Sequence, residues 1–299
     1  MKLFLTGIAG FIGSNLANKL FQLGYDVYGV DTLQFGYPDN LLPGIKWDKK
    51  SFAEVPIHVL NSYDVLVHIA CANIIYAQNN QVDTFKTNAL DTIDLFQKFK
   101  SRIVYTSTSS VYGQADDIPT RENSEQKVCN AYDQSKLIAE KYLELRGNFT
   151  TLRLSNVYGP NQKPENKYCG VVARFIDNIL TLKQPIEITG DPKATRDYTY
   201  IDDVVDAIIS AINRPQKNCA INIGTGIETS NIELAHMILD QLGEKYDRNI
   251  NHVHKRSIDN ISRRCLDVSK ANAFLGWQPT TSLHFGIEKT IQWMKNHYI

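Results

Sequence analysis

The chain has 299 residues, of which 43% are apolar and 21% charged, an ordinary composition for a globular protein. Its 32 basic residues balance its 32 acidic residues, which argues against binding to nucleic acid or to an anionic membrane surface. The apolar runs are far shorter than the roughly 20 residues that span a bilayer, and the chain begins directly on an apolar strand, which predicts no signal peptide. Five scattered cysteines without a C-x-x-C pair favour free thiols in a cytoplasmic protein and disfavour disulfides or a metal site.

The first two dozen residues contain a glycine-rich pattern between a strand and a helix. Residues 3–5 predict a buried strand, and apolar residues that recur every three or four positions over 12–23 predict one face of a helix. Between them lie Gly7, Gly10 and Gly13. A strand that turns through glycines into a helix leaves free backbone N–H groups at the helix N-terminus, where a pyrophosphate can bind. An ordinary strand–helix connection also uses glycines, so the pattern needs support from its context.

Asp31 supplies part of that context. A second predicted strand, 26–30, ends on this acid, eighteen residues after Gly13 and near the spacing of about 20 expected for a carboxylate that binds the adenosine ribose. A carboxylate repels a 2′-phosphate, and residues 32–35 offer no cation to bind one. The sequence therefore predicts NAD rather than NADP, while a turn-capping role for Asp31 is the alternative.

Further predicted strands alternate with helices along the chain. Apolar runs at 64–69, 102–106, 149–154 and 221–224 predict buried strands, and helical patterns separate them. This alternation is typical of an α/β fold with a parallel sheet.

The strand at 102–106 runs into a segment rich in hydroxyl groups, Ser107-Thr108-Ser109-Ser110. Ligands of open α/β sheets bind outside the carboxyl ends of the strands, so these hydroxyls are expected to bond a polyhydroxylated substrate. A solvated turn of serines and threonines is the alternative.

Tyr132 and Lys136 are four residues apart in a helix predicted near 130–146, so they share one face of it. Such a pair is common by chance, and its weight comes from its position after the hydroxyl-rich strand end. A free tyrosine has a pKa of about 10, and a nearby lysine cation would lower it. The pair would then provide a general base for a sugar hydroxyl, and the lysine could also bond the nicotinamide ribose.

Together these stretches resemble the extended short-chain dehydrogenases/reductases, specifically the NAD-dependent nucleotide-sugar epimerase/dehydratase family and its UDP-galactose 4-epimerases. The resemblance covers nearly the whole chain and rests on motifs that follow the family's order. They are the glycine turn, Asp31, His68-Ile69-Ala70, 107–113, Tyr132 with Lys136, 152–160, 196–203, 267–271 and 275–277. The family implies a doubly wound Rossmann domain over 1–155, completed by about 197–224, and a smaller α/β substrate domain formed by 156–196 and 225–299.

The resemblance also implies roles for individual residues. Tyr132 would be the catalytic acid/base with Lys136 as its partner, and Thr108 would bond the C4 oxygen of the substrate. The implied cofactor contacts are Gly7, Gly10, Phe11, Ile12, Asp31, Ala70, Asn88, Tyr132 and Lys136. The implied substrate contacts are Thr108, Ser109, Ser110, Asn156, Val172, Arg196 and Arg264. Surface salt bridges are the alternative for both arginines, and Arg263 competes with Arg264 for the substrate diphosphate.

Two departures from the family pattern bear on the reaction. The family's dehydratases follow the catalytic threonine with Asp-Glu, and the related sugar-acid decarboxylases keep the Glu, whereas this chain has Ser109 and Ser110 there. This difference argues against dehydration. The segment after Asp31 and the C-terminal region are also short, so the family's sugar specificity does not carry over.

The favoured function is therefore NAD-dependent epimerisation of a nucleotide-diphosphate sugar at C4, through a transient 4-keto sugar. A reductase of nucleotide 4-keto-6-deoxysugars that consumes NAD(P)H stays open as an alternative, and so does an NAD-sensing module without catalysis. The resemblance further implies a homodimer, in which the apolar stripe from Phe85 to Phe99 and the Tyr132 helix form the contact.

Overall fold

The computed structural model describes residues 1–166, 169–214, 218–254 and 261–299. The β-strands of this part of the chain are β1 (Lys2–Thr6), β2 (Asp26–Asp31), β3 (Lys46–Lys49), β4 (Val65–His68), β5 (Arg102–Thr108), β6 (Phe149–Leu154), β7 (Asn156–Tyr158), β8 (Ile186–Thr189), β9 (Thr195–Arg196), β10 (Tyr198–Tyr200), β11 (Ala220–Ile223), β12 (Thr229–Ser230) and β13 (Ile250–Val253).

The α-helices are α1 (Phe11–Gln22), α2 (Ile57–Leu60), α3 (Ile74–Ala77), α4 (Gln81–Phe85), α5 (Thr92–Lys98), α6 (Ala131–Arg146), α7 (Val171–Leu180), α8 (Ile201–Asn213), α9 (Asn231–Leu242), α10 (Ser269–Leu275) and α11 (Leu283–Tyr298). Among these described helices, none combines the length and the apolar character that crossing a bilayer requires.

Seven parallel strands form the central sheet, in the order β11-β6-β5-β4-β1-β2-β3. The chain runs outward from β1 to β3 on one side and from β4 to β11 on the other, so the direction of winding reverses between β1 and β4. This topology is a doubly wound Rossmann fold and confirms the predicted fold class. The reversal opens a crevice beside the carboxyl ends of β1 and β4, where α/β proteins bind ligands.

The alternation of side chains along β1 explains the helical layers on both faces of the sheet. Leu3 and Leu5 belong to the larger core, which also contains Leu16 and Leu20 of α1. Phe4 points to the opposite face and belongs to a second core with residues of α5 and α6.

The helical stripe predicted over 85–99 is not one continuous α-helix. Lys86–Asp91 form a π-helical segment between α4 and α5. Phe96 is fully buried, whereas Val82 and Leu90 are 84% and 66% exposed. The stripe therefore contributes to the core at Phe96, whereas Val82 and Leu90, which are not part of the stripe, lie on the surface.

Candidate active site

The glycine turn forms one wall of a cavity of about 360 Å³ at the carboxyl end of β1. Gly7 has a φ of +71°, a conformation that favours glycine. A Cβ atom on Gly13 would lie 2.0 Å from the Gly7 carbonyl oxygen, so α1 can approach the turn this closely only without a side chain. The turn therefore fits a dinucleotide pyrophosphate at the N-terminus of α1. The same cavity is lined by Gly10, Phe11, Ile12 and Ala70.

Asp31 lies in the wall of this smaller cavity and also braces the turn. Its Oδ2 accepts a hydrogen bond from the Ala9 N–H at 3.0 Å, and its Oδ1 accepts one from the Leu33 N–H at 2.8 Å. Burial raises the pKa of the Asp31 carboxyl, and the backbone hydrogen bonds oppose that shift. The two roles considered for Asp31 are therefore compatible, because one carboxylate can cap the turn and still face a ribose.

A second cavity, of about 750 Å³, lies beyond the carboxyl end of β5. Thr108, Ser109 and Ser110 form part of its wall. The Ser110 N–H donates to Thr108 Oγ1 at 3.1 Å, and the hydroxyl oxygens of these two residues are 3.0 Å apart. Asn156 also lines this cavity. The wall thus offers several hydroxyl groups to a polyhydroxylated ligand.

Tyr132 lies where the two cavities meet. It lines the larger cavity, whereas Cys71, whose thiol lies close enough to raise the pKa of the phenol, lines the smaller one. Thr108 favours the charged form of the same phenol and lies in the wall of the larger cavity. Tyr132 can therefore act on a group held in the larger cavity beside a ligand of the smaller cavity.

Lys136 is buried against β5. Its ammonium donates to the Thr106 carbonyl oxygen at 2.7 Å and lies 4.3 Å from the centre of the Tyr105 ring. Burial raises the pKa of the Tyr132 phenol well above its usual range, and Thr108 opposes this shift. The role of Lys136 as the partner of Tyr132 stays a prediction.

Three residues carried over from the family line neither cavity, namely Val172, Asn88 and Lys136. Val172 is 1% exposed and packs in the larger core, because α7 turns Val171 and Arg174 towards the larger cavity instead. The Asn88 amide exchanges two hydrogen bonds of 2.8 Å with the backbone of Ala72. Asn88 thus supports the loop that lines the smaller cavity. Direct contact of Val172 with substrate and of Asn88 with cofactor does not agree with this geometry.

The arginines separate into a cavity pair and a surface residue. Arg196 and Arg264 both line the larger cavity. Burial, with a further contribution from Arg196, lowers the pKa of Arg264 to about 10, so its guanidinium is still charged at neutral pH. Arg263 instead donates from Nε to Glu228 at 3.0 Å on the surface. Arg263, the competitor for the diphosphate, is thus engaged in a surface salt bridge, whereas the pair of guanidinium groups in the cavity suits a diphosphate.

Cavity residues that the sequence analysis missed include Cys71, Asp133 and Arg174. Asp133 is 2% exposed, and its Oδ2 accepts from the Asn130 amide at 2.7 Å. The Asn-x-x-Asp spacing at the start of a helix indicates a helix cap, so the local sequence around Asp133 predicts a structural role for this residue. Arg174 is the one basic residue of α7 and interrupts an apolar run over 171–176, which is a usable signal. The sequence signal for Cys71 is limited to its position after the end of a strand.

The model of the NAD dependent epimerase/dehydratase family matches residues 3–224 of this chain. A UDP-glucose 4-epimerase of Mycolicibacterium smegmatis is 33% identical over 316 residues, covering 99% of each chain. The structure of a UDP-glucose 4-epimerase of Thermotoga maritima with UDP-glucose is similar with a TM-score of 0.91 at 30% identity, covering 99% of both chains. A UDP-N-acetyl-alpha-D-glucosaminuronate decarboxylase of Bacillus cytotoxicus is 30% identical, covering 97% of each chain.

These likenesses extend over nearly the full length of each relative, and the relatives differ in the reaction that they are named for. They therefore identify the family and the class of substrate, a nucleotide sugar, rather than one reaction. The family name also identifies the cofactor as NAD. The chain belongs to the NAD dependent epimerase/dehydratase family of extended short-chain dehydrogenases/reductases.

Proposed function

We propose that this enzyme is a nucleotide-sugar 4-epimerase. The observation that carries the proposal is the place of Tyr132, which lines the larger cavity together with Thr108 and lies near Cys71 in the wall of the smaller cavity. The two UDP-glucose 4-epimerases similar to this chain support a UDP-sugar as the substrate.

The smaller cavity would hold the cofactor. When bound, NAD supplies an acceptor for a hydride and later gives the hydride back. The glycine turn would bind its pyrophosphate through backbone N–H groups, and Asp31 would accept hydrogen bonds from its adenosine ribose. Phe11, Ile12 and Ala70 would pack against it, since they line the same cavity.

Thr108 and Tyr132 would handle the proton of the C4 hydroxyl. The Thr108 hydroxyl bonds the C4 oxygen, and the Tyr132 phenolate accepts the hydroxyl proton while the hydride leaves C4, which becomes a carbonyl carbon. Tyr132 returns the proton to the C4 oxygen when a hydride is added to the opposite face. One proton and one hydride are removed and restored, so the product is an isomer and no reductant is consumed.

The larger cavity would hold the nucleotide sugar by its diphosphate. Arg196 and Arg264 would neutralise the phosphate charges while the ketosugar turns its other face to the hydride. Ser109 and Ser110 stand where the family's dehydratases have an acid pair, and their hydroxyl groups are poor acids and bases for expelling water. This feature supports epimerisation over dehydration.

The test is turnover of the purified enzyme with UDP-glucose, UDP-galactose and their N-acetylhexosamine counterparts, with and without added NADH. Epimerisation predicts that the C4 epimer forms without added reductant and without net oxidation of NADH. If these sugars are not turned over, but a nucleotide 4-keto-6-deoxysugar is reduced as an equal amount of NAD(P)H is oxidised, the enzyme is instead a ketosugar reductase.

The Tyr132→Phe variant tests the role of the phenol in that turnover. It keeps the ring but removes the ionisable oxygen, so we expect a rate lower by roughly 10²–10⁴ with an unchanged circular dichroism spectrum. Full activity of this variant would refute the role given to Tyr132.

We also propose a homodimer, a division into two domains and a cytoplasmic location. Apolar side chains of α6, Ile138 and Leu145, are 42% and 87% exposed beside Val82 and Leu90, which supports a contact with a second copy. The NAD-binding domain would comprise 1–155 with about 197–224, and the substrate domain would comprise 156–196 with 225–299.

The proposed cytoplasmic location is supported by the cysteines. Five free cysteines suit a reducing compartment.

A further inference from the structure

A fully buried carboxylate lies directly beside one of the two arginines of the larger cavity. Asp197 follows Arg196 in the chain, has 0% of its surface exposed and does not itself line the cavity. Its Oδ1 accepts hydrogen bonds from the Thr225 N–H at 2.8 Å and from the Thr225 hydroxyl at 2.7 Å. Its Oδ2 accepts from the Gly226 N–H at 3.1 Å and from the Leu266 N–H at 3.2 Å. Since a carboxylate has about four acceptor sites, these four bonds join it to the protein and leave none for a ligand.

One of these four bonds reaches the segment that carries the second arginine of the cavity, Arg264. Leu266 lies two residues after this arginine. Two residues before it, the Ser262 carbonyl oxygen accepts a hydrogen bond of 2.8 Å from the Thr195 N–H. Thr195 precedes Arg196 and the carboxylate follows it. The two cross-links between the segments therefore lie on either side of both arginines.

The surroundings of the Asp197 carboxylate leave it little freedom to move. Three of its four donors are backbone N–H groups, which cannot rotate away as a side chain can. A Cβ atom on Gly224 would lie 2.6 Å from Asp197 Oδ2 and 3.1 Å from Leu266 Cβ. The carboxylate thus fits closely between the turn at 224–226 and the segment that carries Arg264.

A site built from two arginines needs such a frame, because like charges repel each other. Burial lowers the pKa of Arg264, and the neighbouring charge of Arg196 lowers it further. Without a bound anion, two side chains with this repulsion move apart unless the segments that carry them are joined. Segments that are already joined bind a diphosphate with a smaller cost in ordering.

We propose that Asp197 is a positioning residue that holds Arg196 and Arg264 together as one site for the substrate diphosphate. The inference rests on the proposed function, in which the larger cavity binds a nucleotide sugar. Asp197 acts through the two arginines and does not touch the substrate. Its loss should therefore weaken the binding of a diphosphate and leave the cofactor site unchanged.

The test is isothermal titration calorimetry of UDP with the NAD-loaded enzyme, as wild type and as Asp197→Asn. The amide of this variant has one oxygen in place of two, so it can accept from only one of the two pairs of donors. We expect the Kd for UDP to rise about tenfold, on the order of one hydrogen bond to a charged group. The Kd for NAD⁺ should stay the same. An unchanged Kd for UDP would overturn the proposal.

Asp203→Asn is the matched control. Asp203 is 2% exposed and lines neither cavity. Its Oδ1 also accepts from the N–H and the hydroxyl of one threonine, Thr280, at 3.0 Å and 2.8 Å. This variant should lower the melting temperature and keep the Kd for UDP. An equal rise in its Kd would assign the effect to general loss of stability and overturn the proposal.

A double-mutant cycle with Arg264→Ala tests whether Asp197 acts through this arginine. In the wild-type background, Arg264→Ala removes a well-placed cation and should weaken UDP binding. In the Asp197→Asn background the same change should cost at least about threefold less, because the arginine is no longer held in place. Equal losses in the two backgrounds would show that Asp197 acts independently of Arg264, contrary to the proposal.

Gly224→Ala reaches the same carboxylate without removing any of its hydrogen-bonding groups, and it decides the matter if Asp197→Asn does not fold. Its added methyl group displaces Asp197 Oδ2, so UDP binding should again be weaker while NAD⁺ binding is unchanged. A folded Gly224→Ala enzyme with the wild-type Kd for UDP would overturn the proposal.

Turnover gives an independent measurement. Since the diphosphate is not among the reacting atoms, Asp197→Asn should raise KM for the UDP-sugar and leave kcat within about twofold. A lower kcat at an unchanged KM would contradict the role of Asp197. If UDP binding responds as expected but the UDP-sugars are not epimerised, only the proposed reaction is wrong. If they are epimerised and the variants bind UDP as the wild type does, only the role of Asp197 is wrong.

Discussion

Burial governs the acid–base chemistry of the single residue at the centre of this site. Desolvation is the largest cause of the raised pKa of Tyr132, and the charges of Cys71 and Asp133 add to it. A buried phenolate is disfavoured because it loses its hydration, so ionisation depends on hydrogen bonds to the oxyanion. Thr108 favours the charged form of the phenol and opposes the effect of burial on its pKa.

The raised pKa of Tyr132 leads to a prediction for the pH dependence of the reaction. Below its pKa, the phenolate fraction of a tyrosine grows about tenfold per pH unit. Since the phenolate is the base, kcat/KM should increase with pH between about 6 and 9, by up to tenfold per unit. Initial rates in buffers of constant ionic strength measure this dependence. The residual rate of Tyr132→Phe should lack it, and a flat wild-type profile would contradict the prediction.

The residues that could be predicted from the sequence are those with a strong local signal. Asp31 is indicated by its spacing from the glycines, and Tyr132 is indicated by its position after a hydroxyl-rich strand end. The surroundings of other residues depend on partners from other elements: the ammonium of Lys136 is engaged by a β5 carbonyl, and the phase of α7 turns Val172 into the core.

At the scale of the element, the turn from β1 into α1 depends on the absence of side chains. A Cβ atom on Gly13 would lie 2.0 Å from the Gly7 carbonyl oxygen and 3.0 Å from Ile8 Cα, both of them backbone atoms. The turn cannot relieve such overlap by rotating a side chain, so its backbone must move. This movement would displace the N–H groups that are proposed to bind the pyrophosphate.

Gly13→Ala is therefore expected to weaken NAD binding by at least about tenfold in Kd, equivalent to about 1.4 kcal/mol, while the sheet stays folded. Isothermal titration calorimetry with NAD⁺ measures the change. The matched control is Gly24→Ala, since Gly24 has a φ of +79° and open space around its Cα. The control should lose stability and keep its NAD affinity. If Gly13→Ala binds NAD with unchanged affinity, the turn does not form part of the cofactor site.

The helix before β5 illustrates what periodicity does not predict. The spacing of apolar residues over 85–99 fits an α-helix, but Lys86–Asp91 adopt a π-helical segment. Within it, the Thr92 hydroxyl donates to the Thr87 carbonyl oxygen at 2.9 Å. A side-chain donor can thereby bond a carbonyl that a wider turn leaves without its usual partner. Apolar spacing carries no information on such bonds, so only the existence of the helix was predictable.

At the scale of the whole molecule, the central sheet was predictable and the small sheets were not. Alternating apolar strands and helices predict a parallel sheet, because connections between parallel strands need helices on the faces, and the family resemblance implied its doubly wound order. The pairing of β8 with β13 joins 186–189 to 250–253, and β7 pairs with β10. These strands have only three or four residues, too few for a periodic pattern to specify a partner.

The assembly proposed above gives the last prediction. Leu90, in the π-helical segment, is 66% exposed, and Leu145 of α6 is 87% exposed, on the face of the sheet opposite α1. An aspartate in a buried contact between two copies would be desolvated without a partner, which costs several kcal/mol. Light scattering should give about twice the chain mass of 33.9 kDa for the wild type and the monomer mass for Leu90→Asp. Leu23→Asp is the control, since Leu23 is 54% exposed at the end of α1, and this variant should keep the dimer mass. A wild-type monomer at micromolar concentration, or an equal loss of mass in both variants, would contradict the proposed contact.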